Sequence, residues 1–169
     1  KLSEDYAANC FWAPDGRRVA CSGESGAGVI DLTRPFGERV PRPLSSQEHG
    51  TLFIPSSWTR DGSRLAGGLV LPGKARIPGV VTYSFASGSY ERLTGQGDNA
   101  VWLPDGRRLL YQVARRILLL DTRTRKTSEV LDSPAESRID RLSLSPDGRV
   151  LTVVRILEEG DVWMLERTD

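Results

Sequence analysis

Histidine and cysteine, which serve most often in nucleophilic catalysis and zinc binding, are scarce in this 169-residue chain: there is one histidine, His49, and two cysteines. A Ser-His-Asp triad would need a nucleophilic serine on a Gly-x-Ser-x-Gly turn, which the sequence lacks. One His and two Cys cannot supply the four ligands of a structural zinc site. The glycine-rich residues 22–28 lack the Lys-Ser/Thr ending of a phosphate-binding loop. The sequence therefore predicts a non-enzymatic protein with no catalytic residue, no cofactor and no metal site.

The two cysteines, Cys10 and Cys21, lie on either side of an Asp-Gly pair. If that pair is the centre of a hairpin, the cysteines face each other across it, and a disulfide is geometrically conceivable. Small or apolar residues occupy the same positions in the other similar segments of the chain, so buried free thiols fit without special chemistry. We therefore expect reduced thiols, although two cysteines decide neither the redox state nor the compartment.

Aspartate recurs in a phrase, Trp-x-x-Asp-Gly, that appears four times with one substitution of Leu for Trp. The four copies are residues 12–16, 58–62, 102–106 and 144–148, and their aspartates are 46, 44 and 42 residues apart. Calcium binding would need several acidic ligands at alternate positions, and each copy offers one Asp. Asp-Gly between two apolar runs is instead a strong hairpin signal. A turn centred on each Asp-Gly pair predicts the cross-strand pairs Trp12/Val19, Trp58/Leu65, Trp102/Leu109 and Leu144/Leu151. A repeat of 40-odd residues predicts a repeat architecture.

Each repeat has short apolar runs of β-branched and aromatic residues bounded by Gly, Pro or charges, which indicate strands. Two strands flank the Asp-Gly turn, a third follows, and weaker outer strands are predicted at residues 39–44, 89–94 and 127–131. Four antiparallel strands in about 40–45 residues match one β-propeller blade. The prediction is an all-β protein with four such blades, at residues 4–50, 51–94, 95–137 and 138–169.

These phrases resemble the TolB-like, WD-repeat-like β-propeller repeats of bacteria, whose blades carry a W-S-P-D-G-x-x-I/L-A-F phrase followed by an I-W-x-x-D/N-L strand. The first phrase is matched by residues 12–20, 58–66, 102–110 and 144–152, and the second by residues 29–32, 118–121 and 161–165. The resemblance implies a non-catalytic protein- or ligand-binding module, a scaffold or sensor domain of a larger bacterial protein. Its TolB-like members favour a periplasmic location. The alternative is the substrate-gating propeller of a prolyl-oligopeptidase-like hydrolase.

The ends of the sequence predict the C-terminal part of a larger propeller. Residues 1–3 align with residues 92–94, the end of a predicted outer strand, and the last repeat stops after its third strand at residues 162–165. The final blade can be completed by a strand from upstream, the ring can close with four blades, or two chains can pair into one ring.

Candidate binding residues follow from propeller geometry rather than from a motif. The starts of the first strands line a central channel, near Asn9, Ser56, Asn99 and Asp140. Binding function also concentrates on loops. The rim formed by the loops after the second strands and between blades adds four predicted residues and the histidine: Arg76, Arg115, Arg116, Glu158 and His49.

Composition limits the partners. The net charge of +1 provides no field that would attract nucleic acid. The sequence has no apolar run of about 18 residues, so no direct membrane insertion is expected. The predicted partner is a protein or peptide, with self-association as a way to complete a ring.

Overall fold

The computed structural model describes residues 8–24, 26–45, 50–73, 76–134 and 137–157, and within them the protein consists of fourteen strands and one 3-10 turn, Phe36–Glu38. The strands are β1 Ala8–Trp12, β2 Arg18–Gly23, β3 Gly26–Asp31, β4 Arg42–Pro43, β5 Leu52–Trp58, β6 Arg64–Val70, β7 Arg76–Ser84, β8 Ser89–Arg92, β9 Asp98–Trp102, β10 Arg108–Val113, β11 Arg116–Asp121, β12 Thr127–Asp132, β13 Ser137–Leu144 and β14 Leu151–Leu157. They form three antiparallel sheets, β1-β2-β3-β4, β5-β6-β7-β8 and β9-β10-β11-β12, and a hairpin, β13-β14. The predicted all-β propeller architecture is confirmed. The third strand expected at residues 162–165 lies outside the described residues.

The four Asp-Gly pairs form the predicted turns between the first two strands of each sheet. The Asp15 carboxylate accepts hydrogen bonds from the backbone N–H groups of Arg17 and Arg18, at 2.8 and 3.2 Å. Gly16 follows with φ of 66°, a value that glycine reaches without a Cβ clash. Asp61, Asp105 and Asp147 accept equivalent bonds in the other turns. The repeated aspartate is therefore a turn residue.

The predicted pairing across these turns is confirmed near the turn but breaks further away. Trp12 pairs with Val19, and Trp102 pairs with Leu109. A bulge then shifts the register within the first strand of each of the three sheets and of the hairpin. In the first and third sheets the bulge contains an asparagine, Asn9 or Asn99, with φ of 48°. Asparagine tolerates this left-handed conformation better than most residues.

Consecutive blades are joined by an arginine that lies over the tryptophan of the next blade. The guanidinium of Arg18 lies 5.5 Å from the ring centre of Trp58, and that of Arg64 lies 4.6 Å from Trp102. Trp58 Nε1 also donates a 3.0 Å hydrogen bond to the carbonyl of Phe11 in the preceding blade. Cation–π contact and apolar burial thus act at the same joint, because Trp58 and Trp102 are buried.

Cys10 and Cys21 form a disulfide, so the expectation of reduced thiols is wrong. The antiparallel pairing of β1 with β2 places the two Cα atoms 4.1 Å apart across the first hairpin. Cys21 is fully buried beside Val19 and Ile30. Two cysteines this close across a buried hairpin can pack either as a disulfide or as two thiols. The sequence alone does not distinguish these two redox states.

The outer strand of the first blade is shorter than expected. The prediction placed it at residues 39–44, whereas β4 contains only Arg42 and Pro43. The reason is local: residues 36–38 form a 3-10 turn, and the N–H of Val40 bonds to the carbonyl of Glu38, so the chain reaches the sheet late. The other outer strands, β8 and β12, start where predicted, at Ser89 and Thr127.

Candidate functional site

A cavity of about 330 Å³ lies where the starts of the innermost strands β1, β5, β9 and β13 converge. Its apolar wall includes Phe11, Ile54, Pro55, Val101 and Ile139. Its polar groups come from the bulged strand starts and from the beginning of β7. The volume is at the lower end of the range of about 300–1,000 Å³ found for small-molecule pockets.

Five residues expected near the channel or rim line this cavity together: Asn9, Ser56, Arg76, Asn99 and Asp140. Propeller topology accounts for the grouping, because the innermost strands all enter from the same end. Arg115 and Arg116 do not line the cavity. His49 and Glu158 lie outside the described residues. The functional role of all of these residues remains a prediction.

The cavity carries three arginines and two aspartates. Arg76 pairs with Asp98 at 3.3 Å, and Arg141 lies 3.9 Å from Asp140. Arg138, the third arginine, has no ion pair within the described residues. The arginine side chains in both pairs are more than half exposed, at 51% and 74%. Such pairs exchange partners at little cost, so the arginines remain available to an anionic group.

The side-chain amide of Asn99 forms hydrogen bonds that connect the third and fourth blades. Its Nδ2 donates to Gln112 Oε1 at 2.9 Å and to the carbonyl of Asp140 at 2.8 Å. Gln112 Nε2 in turn donates to the carbonyl of Ile139. Both amide hydrogens of Asn99 are therefore used, and only its Oδ1 is left for a ligand. Asn9, at the same position and the same φ, has a weaker contact: its Nδ2 lies 3.5 Å from Ser22 Oγ.

The arginine pair predicted on the rim forms ion pairs within its own blade. Arg115 makes a two-pronged contact with Asp132, with Nε–Oδ1 of 2.7 Å and Nη2–Oδ2 of 3.1 Å. The hydrogen bond from Arg115 holds the pKa of the Asp132 carboxyl below its usual value. Arg116 lies 3.6 Å from Glu129. These contacts tie the β10–β11 connection to β12.

Sequence reasoning missed Asp98, Arg138 and Arg141, which contribute much of the charge in the cavity. A usable signal was present for two of them. Asp98 precedes Asn99, and Arg141 follows Asp140, so both lie next to predicted channel positions. Bulges place neighbouring residues on the channel side that strict alternation would put elsewhere.

Metal-binding clusters and membrane-spanning helices are both absent from the described residues. No group of three or more His, Cys, Asp or Glu side chains among them is arranged to hold a metal ion. No helix in the described part of the chain has the length and apolarity needed to cross a membrane.

No family model matches this sequence, and no curated protein matches it. Solved structures match over most of its length. TolB from Acinetobacter baumannii is 20% identical with a TM-score of 0.70, over 94% of this chain and 40% of that one. An oligogalacturonate lyase in complex with manganese is 13% identical with a TM-score of 0.66, over 92% of this chain and 48% of that one. The RRP9 WD40 repeats are 13% identical with a TM-score of 0.59, over 84% of this chain and 43% of that one.

These similarities define the fold: a β-propeller similar to those of TolB and of the RRP9 WD40 repeats, as the repeats predicted. At such identities the likeness is one of fold. The chain spans less than half the length of each of these three structures.

Proposed function

We propose that this chain is a non-catalytic propeller module that binds a protein or peptide at the channel-end cavity. The supporting observation is that five separate strands, β1, β5, β7, β9 and β13, bring exposed arginines, aspartates and an apolar wall to one concave site. Concave sites with an apolar lining and a few convergent polar groups are the usual form of a binding pocket. A scaffold or sensor role within a larger bacterial protein fits such a module.

The cavity chemistry supports recognition by charge and shape together. Arg138 and Arg141 can donate hydrogen bonds to a carboxylate of the partner, and Asp98 and Asp140 can pair with a basic group. Apolar side chains of the partner fit against Ile54 and Val101. Mixed charge at a site favours one orientation of a partner over others.

The test is a pull-down from extracts of the organism that encodes the chain, using immobilised wild-type protein and charge-reversed variants. The cavity variant carries Arg138→Glu and Arg141→Glu. The control carries Arg149→Glu and Arg155→Glu, which make the same charge change in the same hairpin at residues that do not line the cavity. We expect a protein that is recovered by wild type and control and lost by the cavity variant. Equal recovery by all three would refute the cavity as the site.

The alternative, a substrate-gating propeller of a prolyl-oligopeptidase-like hydrolase, differs in what accompanies the propeller. A Gly-x-Ser-x-Gly segment elsewhere in the encoding gene, with peptidase activity in the whole protein, would favour it. Some propellers of this shape are enzymes, as the oligogalacturonate lyase among the matching structures illustrates. Assay of the full gene product against peptide and oligosaccharide substrates separates these functions from binding alone.

A further inference from the structure

A bulge in β13 brings two arginines to one face of the fourth blade. In the pairing of β13 with β14 the register passes directly from Ile139 to Arg141, so Asp140 is an extra residue. Because paired residues alternate between the two faces of a sheet, the bulge leaves Arg138 and Arg141 on the same face. Ile139 and Leu142 lie on the other face, in the core shared with the third blade. One strand face therefore presents two guanidinium groups to the channel-end cavity.

The charges of this cavity leave one arginine without a partner. Arg76 pairs with Asp98 at 3.3 Å, and Arg141 lies 3.9 Å from Asp140, so each aspartate already has a cationic neighbour. Arg138 has neither a hydrogen bond nor an ion pair within the described residues. With three arginines and two aspartates, the lining has one positive charge in excess. A single negative group of a ligand balances this charge, whereas a single ammonium group would add to it.

The cavity is continuous with a larger space at the Asp-Gly end of the channel. This turn-end groove has a volume of about 1000 Å³ and is lined mainly by the ends of β1, β5, β9 and β13 and by the turns that follow them. Five residues line both spaces: Phe11, Ser56, Val101, Arg141 and Leu142. A ligand bound at the arginines can therefore extend along the channel into the groove.

The turn-end groove contains an exposed tryptophan. Trp12 is 65% exposed, whereas its equivalents in the next two blades, Trp58 and Trp102, are buried. Arg18 and Arg64 lie over the two buried rings, and no arginine of the described residues lies over Trp12. A large apolar side chain exposed beside a groove is available for contact with a ligand. Further apolar lining comes from Pro14, Leu103, Pro104, Leu144 and Pro146.

The two volumes indicate which part of a ligand each space holds. The arginine end, of about 330 Å³, is at the lower limit for a single small molecule, so it suits the end of a chain better than a chain that passes through. The groove is larger and suits the residues that precede that end. A peptide has one negatively charged end, its C-terminal carboxylate, and the planar guanidinium of arginine matches the geometry of a carboxylate.

Given the proposed function, we infer that the channel binds the C-terminal tail of a peptide or protein partner, with the terminal carboxylate at Arg138 and Arg141. The last side chain of the tail packs against Phe11 and Val101, and the preceding residues lie along the turn-end groove beside Trp12. The opposite direction of entry would bring an N-terminal ammonium group to Arg138, which has no acidic neighbour to offset the repulsion.

Hexapeptides with fluorescein at the N-terminus test the direction of entry on the whole chain, by fluorescence anisotropy. A positional-scanning library varies the last three residues, and every pool is made once with a C-terminal acid and once with a C-terminal amide. We expect binding by acids whose last residue is apolar. The matched amides should bind at least about tenfold more weakly, since hydrogen bonds to a charged group are lost.

Substitution of Arg138 tests whether this residue reads the carboxylate. Arg138→Gln should weaken the best acid by at least about tenfold and leave its amide unchanged, so that acid and amide then bind alike. Arg138→Lys keeps the charge and should retain part of the preference for the acid. Arg155→Gln is the matched control, because it removes an arginine from the same hairpin at a residue that lines neither space. It should preserve the full preference.

Substitution of Trp12 tests the groove separately. Trp12→Ala should weaken the best hexapeptide acid several-fold. It should leave unchanged the binding of an unlabelled dipeptide with the same last two residues, measured by displacement of the labelled peptide. The reason is that only the longer peptide extends to the turn-end groove.

Equal binding of acids and amides would overturn the inference, as would an acid preference that survives Arg138→Gln. An N-acetylated single amino acid that binds as tightly as the best hexapeptide would also contradict it, because the groove would then contribute nothing. If acids and amides bind alike and both are lost in the Arg138→Glu/Arg141→Glu variant, the cavity binds a partner through another group: the proposed function stands and the C-terminal tail is wrong. If no pool binds, the tail is again wrong, and the pull-down decides the proposed function on its own.

Discussion

At the scale of single residues, the side-chain amide of Asn99 already forms hydrogen bonds within the protein and is not free to bind a ligand through its N–H groups. Its amide bridges Gln112 in its own blade and the backbone of Asp140 in the next, and its backbone has φ of 48°. One side chain thus fixes both a bulge and a joint between blades. Polar residues that line a channel therefore need to be checked for structural use before they are assigned to binding.

Replacing Asn99 separates these two roles. Asn99→Ala should lower the free energy of unfolding by about 2–4 kcal/mol, because two hydrogen bonds are lost and alanine is strained at positive φ. Asn99→Gly should cost less, since glycine accepts that φ. Asn9→Ala is the matched control, with the same φ and only a 3.5 Å contact, and it should cost less than Asn99→Ala. Urea unfolding measures all three, and equal losses at Asn9 and Asn99 would contradict the bridging role.

The turn aspartates predict a pH dependence, which is largest for Asp61 among the four turns. The backbone N–H of Ser63, with the nearby Thr59 and Ser63 hydroxyls, lowers the pKa of Asp61 to about 2. A lowered pKa in the folded state means that the unfolded state binds more protons between about pH 2 and pH 4. The stabilisation by Asp61 is therefore complete above about pH 4 and is lost as the pH falls towards 2. Asp61→Asn should flatten this part of the stability profile, and an unchanged acid profile would contradict it.

At the scale of strands, β6 contains a position where only glycine fits. A Cβ on Gly67 would lie 2.1 Å from the carbonyl oxygen of Ile54 and 2.8 Å from the ring of Phe53, which is almost fully buried. The same site holds Cys21 in the first blade and Tyr111 in the third. In the second blade Phe53 occupies that space from the neighbouring strand, so glycine is required for packing rather than for its backbone freedom.

Gly67→Ala should therefore destabilise the protein by about 1–3 kcal/mol or more, the usual cost of overpacking a filled core. Gly68→Ala is the matched control one residue along, because the nearest atom to its Cβ would be the Gly79 oxygen at 4.0 Å. It should change stability little. Denaturant midpoints measured side by side decide the matter: similar losses at both positions would mean that a general strand effect, and not the Phe53 contact, is responsible.

The Cys10–Cys21 disulfide closes a short loop across the first hairpin, with a sequence separation of 11 residues. A loop of this size restricts the unfolded chain enough to contribute about 2–3 kcal/mol. Reduction should lower the denaturant midpoint by the corresponding amount. A Cys10→Ala/Cys21→Ala variant should be insensitive to reductant. No response of the wild type to reduction would contradict a stabilising disulfide.

Local features of these strands were predictable, and features that depend on neighbours were not. The Asp15-Gly16 turn and the Trp12–Val19 pair follow from a few adjacent residues and were predicted correctly. The disulfide depends on a choice between two chemical states that pack alike. The short outer strand β4 depends on hydrogen bonds inside residues 32–41 that have no sequence pattern.

At the scale of the whole molecule, the blades differ in how much of their surface is buried by neighbouring blades. Sheet β5–β8 lies between the first and third sheets, and Leu65 and Ala66 of β6 are buried in the cores on its two sides. Hairpin β13–β14 has many exposed side chains, including Val154 at 44% and Leu157 at 65%. We expect β6 amides to exchange with solvent at least about tenfold more slowly than β14 amides, since buried strands open only with larger units. Hydrogen exchange measured by mass spectrometry tests this, and equal protection would show that the fourth blade is covered in solution.

The candidate site was predicted in part for the same reason that the fold was. Repeat spacing placed Asn9, Asn99 and Asp140 at equivalent strand starts, and the propeller brings equivalent starts together. The charge that completes the cavity comes from Arg138 and Arg141, and bulges control their direction. The repeat spacing in the sequence does not reveal where bulges occur. It therefore predicts where the site lies, but not which charged side chains point into it.

The joint between blades has a direction, and this bears on how such chains arise. Each of the first two blades offers an arginine on one side and each of the second and third offers a tryptophan on the other, so Arg18 meets Trp58 and Arg64 meets Trp102. The second blade contains both residues of this contact, Trp58 towards the first blade and Arg64 towards the third. A duplicated copy of this blade would carry both residues of the arginine–tryptophan contact, so Arg64 of one copy could lie over Trp58 of the next. Proteins with different numbers of blades can thus evolve from one ancestral unit, and an engineered chain with an extra copy of residues 51–94 is the natural place to begin lengthening this one.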